Sequence, residues 1–133
     1  MPSKPDQVFV DTSFFKALID EKDDFYGKAV EIFSRMSGQN IILVTSNYIL
    51  DETFTLIRKR RGRDKVKELR DFLAKAIPSI RIVRVLTSDD VNAWNWFLKD
   101  WSGLSFTDCV SFAVMKRLGL ERVATFDQHF AKA

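Results

Sequence analysis

Four acids recur at similar places along this chain. Asp11 ends the apolar run Val8-Phe9-Val10, and Glu52 lies early in the segment after Ile41-Ile42-Leu43-Val44. Asp108 comes shortly after Ser105, and Asp127 shortly after Val123-Ala124-Thr125. Carboxylates drawn together repel one another and keep their protons to higher pH, a cost that a divalent cation removes. Oxygen ligands without cysteine or histidine favour Mg²⁺ or Mn²⁺ over zinc. The single histidine, His129, gives little support to a zinc site or a Ser-His-Asp triad. Placed just after Asp127, it reads as a surface or packing residue rather than a ligand.

Each acid also has a plain structural reading. Asp11 can end a strand and help start a helix. Asp108 has the spacing of a capping box with Ser105. That spacing does not explain an acid flanked by Phe106, Val110, Phe112 and Ala113, where an unpaired carboxylate is costly to bury. Asp127 can be a turn residue after Phe126. Glu52 has Ile49 and Leu56 as its helical neighbours, at the border of an apolar stripe, whereas Asp51 points further toward solvent. Glu52 is therefore the candidate of that pair.

The elements that must position these acids follow from periodicity. Val8 to Val10 reads as a strand buried on both faces, as in a parallel sheet. Thr12 and Ser13 are placed to cap the short helix that continues through Phe14 to Ile19. Asp20-Glu21-Lys22-Asp23-Asp24 reads as a solvated loop. Phe25 to Met36 has helical spacing and stops at Ser37-Gly38. Ile41 to Val44 is a second strand, and Thr45 or Ser46 caps a helix running to about Arg61, broken by Gly62. Val66, Leu69, Phe72, Leu73 and Ala76 mark another helix, closed before Pro78. Ile80 to Val85 is a third strand, nearer an edge.

Thr87 or Ser88 then caps a helix with Val91, Trp94, Phe97, Leu98 and Trp101 along one face. That spacing puts Trp94 and Trp101 in the core with Leu98, and Trp96 on the exposed side. Ser105 opens an apolar helix to Leu118, ended by Gly119, and Val123-Ala124-Thr125 is the last strand. Strands alternating with helices predict an α/β chain, with a parallel sheet covered on both faces and residues 1–133 forming one domain. In such a sheet the strand carboxyl ends face one way, so the four acids can gather on one rim.

A length of 133 residues suits one domain with a substantial core. One cysteine, Cys109, excludes an intramolecular disulfide. No apolar run approaches a membrane span, and the start around Lys4-Pro5-Asp6 is not a signal peptide, so a cytoplasmic location is expected. The formal charge of +3 supports a nucleic-acid partner only where the cations cluster. They do so in Arg58-Lys59-Arg60-Arg61-Gly62-Arg63, followed by Lys65 and Lys67. Arg58, Arg60, Arg61 and Arg63 are the candidates for phosphate contact. The competing reading is a solvated helix end whose cations suit the helix dipole.

Four segments together carry a family resemblance: Val8-Phe9-Val10-Asp11-Thr12-Ser13, Tyr48-Ile49-Leu50-Asp51-Glu52, Leu104-Ser105-Phe106-Thr107-Asp108, and Ala124-Thr125-Phe126-Asp127-Gln128-His129-Phe130. In order and spacing the chain resembles the PIN domain family, and within it the VapC-type toxin branch. The resemblance implies a three-layer α/β/α sandwich around a parallel sheet of four to five strands. It also implies a metal-dependent ribonuclease. Its acidic positions fall on Asp11, Glu52, Asp108 and Asp127, and its supporting hydroxyls on Ser13 and Thr107, with Thr12 beside them. A second acid often found two residues after the last one is replaced here by His129. The same resemblance implies a small antitoxin as partner and a homodimer.

The chemistry suggested by such residues is phosphodiester hydrolysis assisted by one or two Mg²⁺ ions. Asp11 and Asp108 are the first choices as direct ligands. Glu52 can bind metal or position water, and Asp127 can hold a second ion. Two other classes remain open on sequence: a non-catalytic scaffold that binds RNA or protein, and a structure-specific DNA nuclease. An aspartyl-phosphate phosphatase is disfavoured because Ser13 stands where its second acid belongs.

Overall fold

Val8, Phe9 and Val10 are all buried, as a strand covered from both sides requires, and they lie inside the sheet rather than at its edge. The structure, a computed structural model, describes residues 6–76, 79–99 and 103–131; Pro78 and Trp101 fall outside that range. Strand β1 (Gln7–Val10) pairs with β2 (Ile42–Ser46) on one side and with β4 (Val123–Ala124) on the other. Strand β3 (Ile80–Val83) lies beyond β2, giving the order β3-β2-β1-β4 with every pair parallel. Phe9 stands opposite Val44 in β2 and Val123 in β4. Helices flank this sheet in a three-layer α/β/α arrangement. Among the described residues no helix is long and apolar enough to cross a membrane.

The first helix, α1 (Thr12–Ile19), leaves the end of β1, and α2 (Tyr26–Gly38) returns toward β2. After β2 come α3 (Asn47–Arg61) and α4 (Arg63–Ala76), then, past β3, α5 (Thr87–Phe97), α6 (Phe106–Leu118) and the single turn α7 (Gln128–Ala131). Phe14 and Phe15 of α1, Ile49 and Ile57 of α3, and Val110 and Val114 of α6 are sealed from solvent together with Phe9. Side chains of this size contribute roughly 1.5–3 kcal/mol each when fully buried. They fix the helix starts against the carboxyl edge of the sheet. Ser46 caps α3 by accepting from the Ile49 N–H at 3.2 Å, and Gly62 ends that helix at φ 83°, a conformation that suits glycine.

Three local expectations change. Asp11, rather than Thr12 or Ser13, caps α1: its carboxylate accepts the Phe14 N–H at 3.0 Å, while Thr12 turns inward to Thr53. Neither Thr87 nor Ser88 caps α5. Asp89 instead reaches back to the Leu86 N–H at 2.8 Å, because Arg117 of α6 holds that acid inside with contacts of 2.9 Å. The acidic segment after α1 is not uniformly solvated either. Asp20 is buried, paired with Arg61 at 2.6 Å and with Lys16 at 3.8 Å. Its shorter pairing is with Arg61, 41 residues further along the chain, which is why the local pattern misreads it.

The largest difference lies on α5. Val91, Trp94, Phe97 and Leu98 form its outer face, with Leu98 73% exposed, while Asp89, Ala93 and Trp96 turn inward. Trp96 packs against Phe112, the reverse of the expected arrangement. Asp89 must face Arg117, and small Ala93 permits close approach to α6, so those two residues set the rotation of the helix.

Candidate active site

Connections from β1 lead toward β2, whereas β4 lies on the other side of β1, so a crevice opens between the carboxyl ends of β1 and β4. Ligands of open α/β sheets collect at such a switch point. Asp11 leaves the end of β1 there, and Asp127 follows β4. Glu52 approaches from the second turn of α3 and Asp108 from the first turn of α6. All four acids line one cleft of ≈ 390 Å³. Thr12 and Ser13 line it as well. The residues that the sequence left unassigned in its walls are Lys16, Leu56, Gly103 and Ser105. Thr107 lies elsewhere, in an adjoining hollow that shares Glu52 and Leu56 with the cleft.

Asp11 is held by a hydroxyl network. Its Oδ1 accepts from Ser13 Oγ at 2.8 Å and from the Phe14 N–H, and its Oδ2 accepts from Thr125 Oγ1. Ser13 Oγ in turn accepts the Phe126 N–H at 2.9 Å, and Thr125 Oγ1 accepts the Asp127 N–H at 3.0 Å. These bonds join the start of α1 to the segment carrying Asp127. Thr125 was missed by the sequence reading. Its signal is a hydroxyl at the carboxyl end of a strand, the counterpart of Thr12 and Ser13 after β1. Phe126 reinforces the same join, stacking between Phe14 and Phe25 with ring centroids 5.7 and 4.6 Å away.

Asp108 is held differently. The capping box is real: the Asp108 N–H donates to Ser105 Oγ and Asp108 Oδ2 accepts the Ser105 N–H, both at 3.1 Å. Capping and facing the cleft are thus compatible roles for one carboxylate. Burial pushes the Asp108 carboxyl up to about 6 from an ordinary 3.8, with the charges of Glu52 and Asp127 adding to the rise against the bonds from Ser105. Burial also raises Asp11; its three hydrogen bonds oppose that rise and the charge of Asp127 adds to it. The acids therefore interact electrostatically across the cleft.

That mutual repulsion is the test of whether the residues suit a cation. Four carboxylates lining one cleft, with the charges of Glu52 and Asp127 bearing on Asp108 and that of Asp127 on Asp11, form a hard, oxygen-rich donor set of the kind that Mg²⁺ or Mn²⁺ takes. Among the described residues, no three Asp, Glu, Cys or His side chains are drawn close enough to form a ready-made ligand set. Cys109 is buried within α6 and does not line the cleft. His129 lies on α7, and its side chain is outside the described residues.

The basic run separates into two groups. Arg61 pairs with Asp20 at 2.6 Å and with Glu21 at 3.5 Å, and Lys65 pairs with Glu21 and Glu68 at 2.7 and 3.1 Å. Those two side chains tie α3 and α4 to the segment after α1. Arg58, Lys59, Arg60 and Arg63 are exposed.

Comparison with known proteins agrees with the fold. The PIN domain family profile matches residues 8–133. The 23S rRNA-specific endonuclease VapC20 of Mycobacterium tuberculosis, in strains CDC 1551 and H37Rv, is 35% identical over 130 residues, covering 95% of this chain and 93% of the relative. The crystal structure of Mycobacterium tuberculosis VapC20, described as a sarcin-ricin loop cleaving toxin, superposes with a TM-score of 0.83 at 30% identity. That superposition covers 94% of this chain and 93% of the other.

Proposed function

The chain belongs to the PIN domain family, in its VapC-type toxin branch, and on that premise we propose that it is a divalent-metal-dependent endoribonuclease acting as the toxin of a type II toxin–antitoxin pair. The observation that carries the reading is the convergence of Asp11, Glu52, Asp108 and Asp127 on one cleft at the carboxyl edge of the sheet. Residues 1–133 act as one nuclease domain in the cytoplasm.

Asp11, Asp108, Asp127 and Glu52 are the residues to hold Mg²⁺ or Mn²⁺. When bound, such an ion supplies Lewis-acid stabilisation of phosphoryl charge and lowers the pKa of a coordinated water. The protein's own contribution is orientation. Ser13 and Thr125 fix the Asp11 carboxylate, and the Ser105 cap fixes Asp108. Burial of both carboxyls and the apolar wall at Leu56 limit competing water. Exposed Arg58, Arg60 and Arg63 provide long-range attraction for a polyanion, whereas Arg61 serves the fold through Asp20.

A ribosomal RNA hairpin of the kind cleaved by the VapC20 relative is the first substrate to test. Incubation with Mg²⁺ or Mn²⁺ should give a discrete cut that EDTA abolishes. Absence of cleavage across rRNA and tRNA panels, with both ions present, refutes the nuclease reading. Protein partners follow from the same reading: a small antitoxin and a second copy of the chain. The apolar outer face of α5, where Trp94 and Phe97 cluster with Phe106, supports burial against another protein. Sedimentation of the purified chain should give a dimer, and Trp94→Glu with Leu98→Glu should give a monomer if α5 is the contact.

A further inference from the structure

A cleft lined by four carboxylates repels the polymer it is meant to cut, so cationic side chains must meet the phosphates that flank the scissile bond. The acid cleft and the adjoining hollow share a wall made by Glu52 and Leu56. The hollow is ≈ 410 Å³ and is completed by Asp51, Thr55, Lys59 and Thr107. Both cavities lie within the size range, roughly 300–1,000 Å³, that small ligands occupy.

Among the residues lining these two cavities, Lys16 and Lys59 carry the positive charge. Lys16 is already committed, pairing with Asp23 and, at 3.8 Å, with Asp20. Lys59 is exposed and makes no ion pair among the described residues. It stands two helical turns beyond Glu52 on the same face of α3, about 10 Å along the axis. Thr55 lies between them and Thr107 faces them from α6, so the hollow offers one cation and two hydroxyls.

Resting on the nuclease reading above, we propose that this hollow is the subsite for a nucleotide flanking the scissile bond, with Lys59 holding its phosphate. The phosphate sits at the Lys59 end, away from Asp51 and Glu52, and the hydroxyls of Thr55 and Thr107 contact the same nucleotide. Lys59 is a positioning residue: it acts on where the RNA lies, not on the reacting atoms.

The test uses the full chain and a single-stranded RNA oligonucleotide that it cleaves, together with a nested set trimmed one nucleotide at a time from each end. Lys59→Gln should raise KM about tenfold, the loss expected for a charge-assisted contact. Its kcat should stay within about twofold, as when uniform binding is removed. The slope of log affinity against log salt should fall by about 0.7, one single-strand phosphate. Lys59→Arg should restore both KM and slope. Lys75→Gln removes one exposed positive charge from α4, outside the lining of both cavities, and should leave KM within about twofold of the unchanged chain.

Trimming the flanking nucleotide should cost the unchanged chain at least the same tenfold and cost Lys59→Gln several-fold less, since only the hydroxyl contacts remain for it to lose. If the chain cuts RNA but Lys59→Gln behaves like Lys75→Gln, or trimming costs both proteins alike, the subsite is refuted and the nuclease reading stands. If the unchanged chain cuts no RNA with either ion, the nuclease reading has failed and the subsite falls with it.

Discussion

The two walls of the acidic cleft are built by different means. On the wall formed by α1 and the β4–α7 segment, Asp11 spends both oxygens on Ser13, Phe14 and Thr125, and the same hydroxyls hold the backbone at Phe126 and Asp127. On the wall formed by α3 and α6, Asp108 is bonded to Ser105 at the start of its own helix. One wall is braced by contacts between distant parts of the chain. The other depends on where two helices happen to start. A substitution on the first wall should therefore disturb fold and function together, and one on the second should separate them.

The sharpest separation is expected for Asp108→Asn. The amide keeps an oxygen to accept the Ser105 N–H, so the cap survives, while the carboxylate is lost. Replacing residues that merely support a metal ligand costs 10–100-fold, so cleavage should fall by at least about a hundredfold. Circular dichroism and the thermal midpoint should show an intact fold; collapse of the fold would end the contrast between the walls. Thr125→Val, on the braced wall, should cost about 10–100-fold in activity, because Asp11 loses a donor and the Asp127 N–H loses its acceptor. It should also lower the thermal midpoint, which Asp108→Asn should not.

Asp11→Ala should abolish cleavage and, in addition, destabilise the chain by about 1–2 kcal/mol in urea titrations through loss of the helix cap. An unchanged stability would mean that the hydroxyl network does not brace this wall. The smallest effect is electrostatic. The Asp108 carboxyl holds its proton up to about 6 in the folded chain against an ordinary 3.8. Its stabilising contribution is thus complete below 3.8 and is lost as pH rises through about 6. In metal-free buffer the unchanged chain and Asp108→Asn should have equal thermal midpoints at the acid end, with the variant a few degrees higher above that window. Titrating Mn²⁺ across the same range should show affinity falling as pH drops, because proton and cation compete for one carboxylate.

The order of strands and helices was legible because buried strands are continuous apolar runs and the helices carry clear stop signals, as at Gly62 and Gly119. The gathering of the four acids was legible from parallel topology alone, since strand carboxyl ends share an edge. Three features were not. Thr125 looked like the tail of a strand, and its role exists only through a contact with Asp11 across 114 residues. Asp20 sat in an acidic run that suggested solvent, yet Arg61 draws it inside. On α5 the stripe of Val91, Trp94, Phe97 and Leu98 satisfied the helical period but faces outward, because Asp89 and Arg117 decide the rotation. Periodicity identifies an apolar face; it does not say whether that face is covered by the same chain.

The long separation between Asp11 and Thr125 has a consequence for how the enzyme is made. A ribosome translating this message completes the first wall only after the codons for Thr125 and Asp127 have been read and those residues have emerged. Until then the nascent polypeptide has its opening carboxylate but neither the hydroxyl that anchors it nor the last acid. Chain order therefore makes this wall one of the last parts of the fold to close.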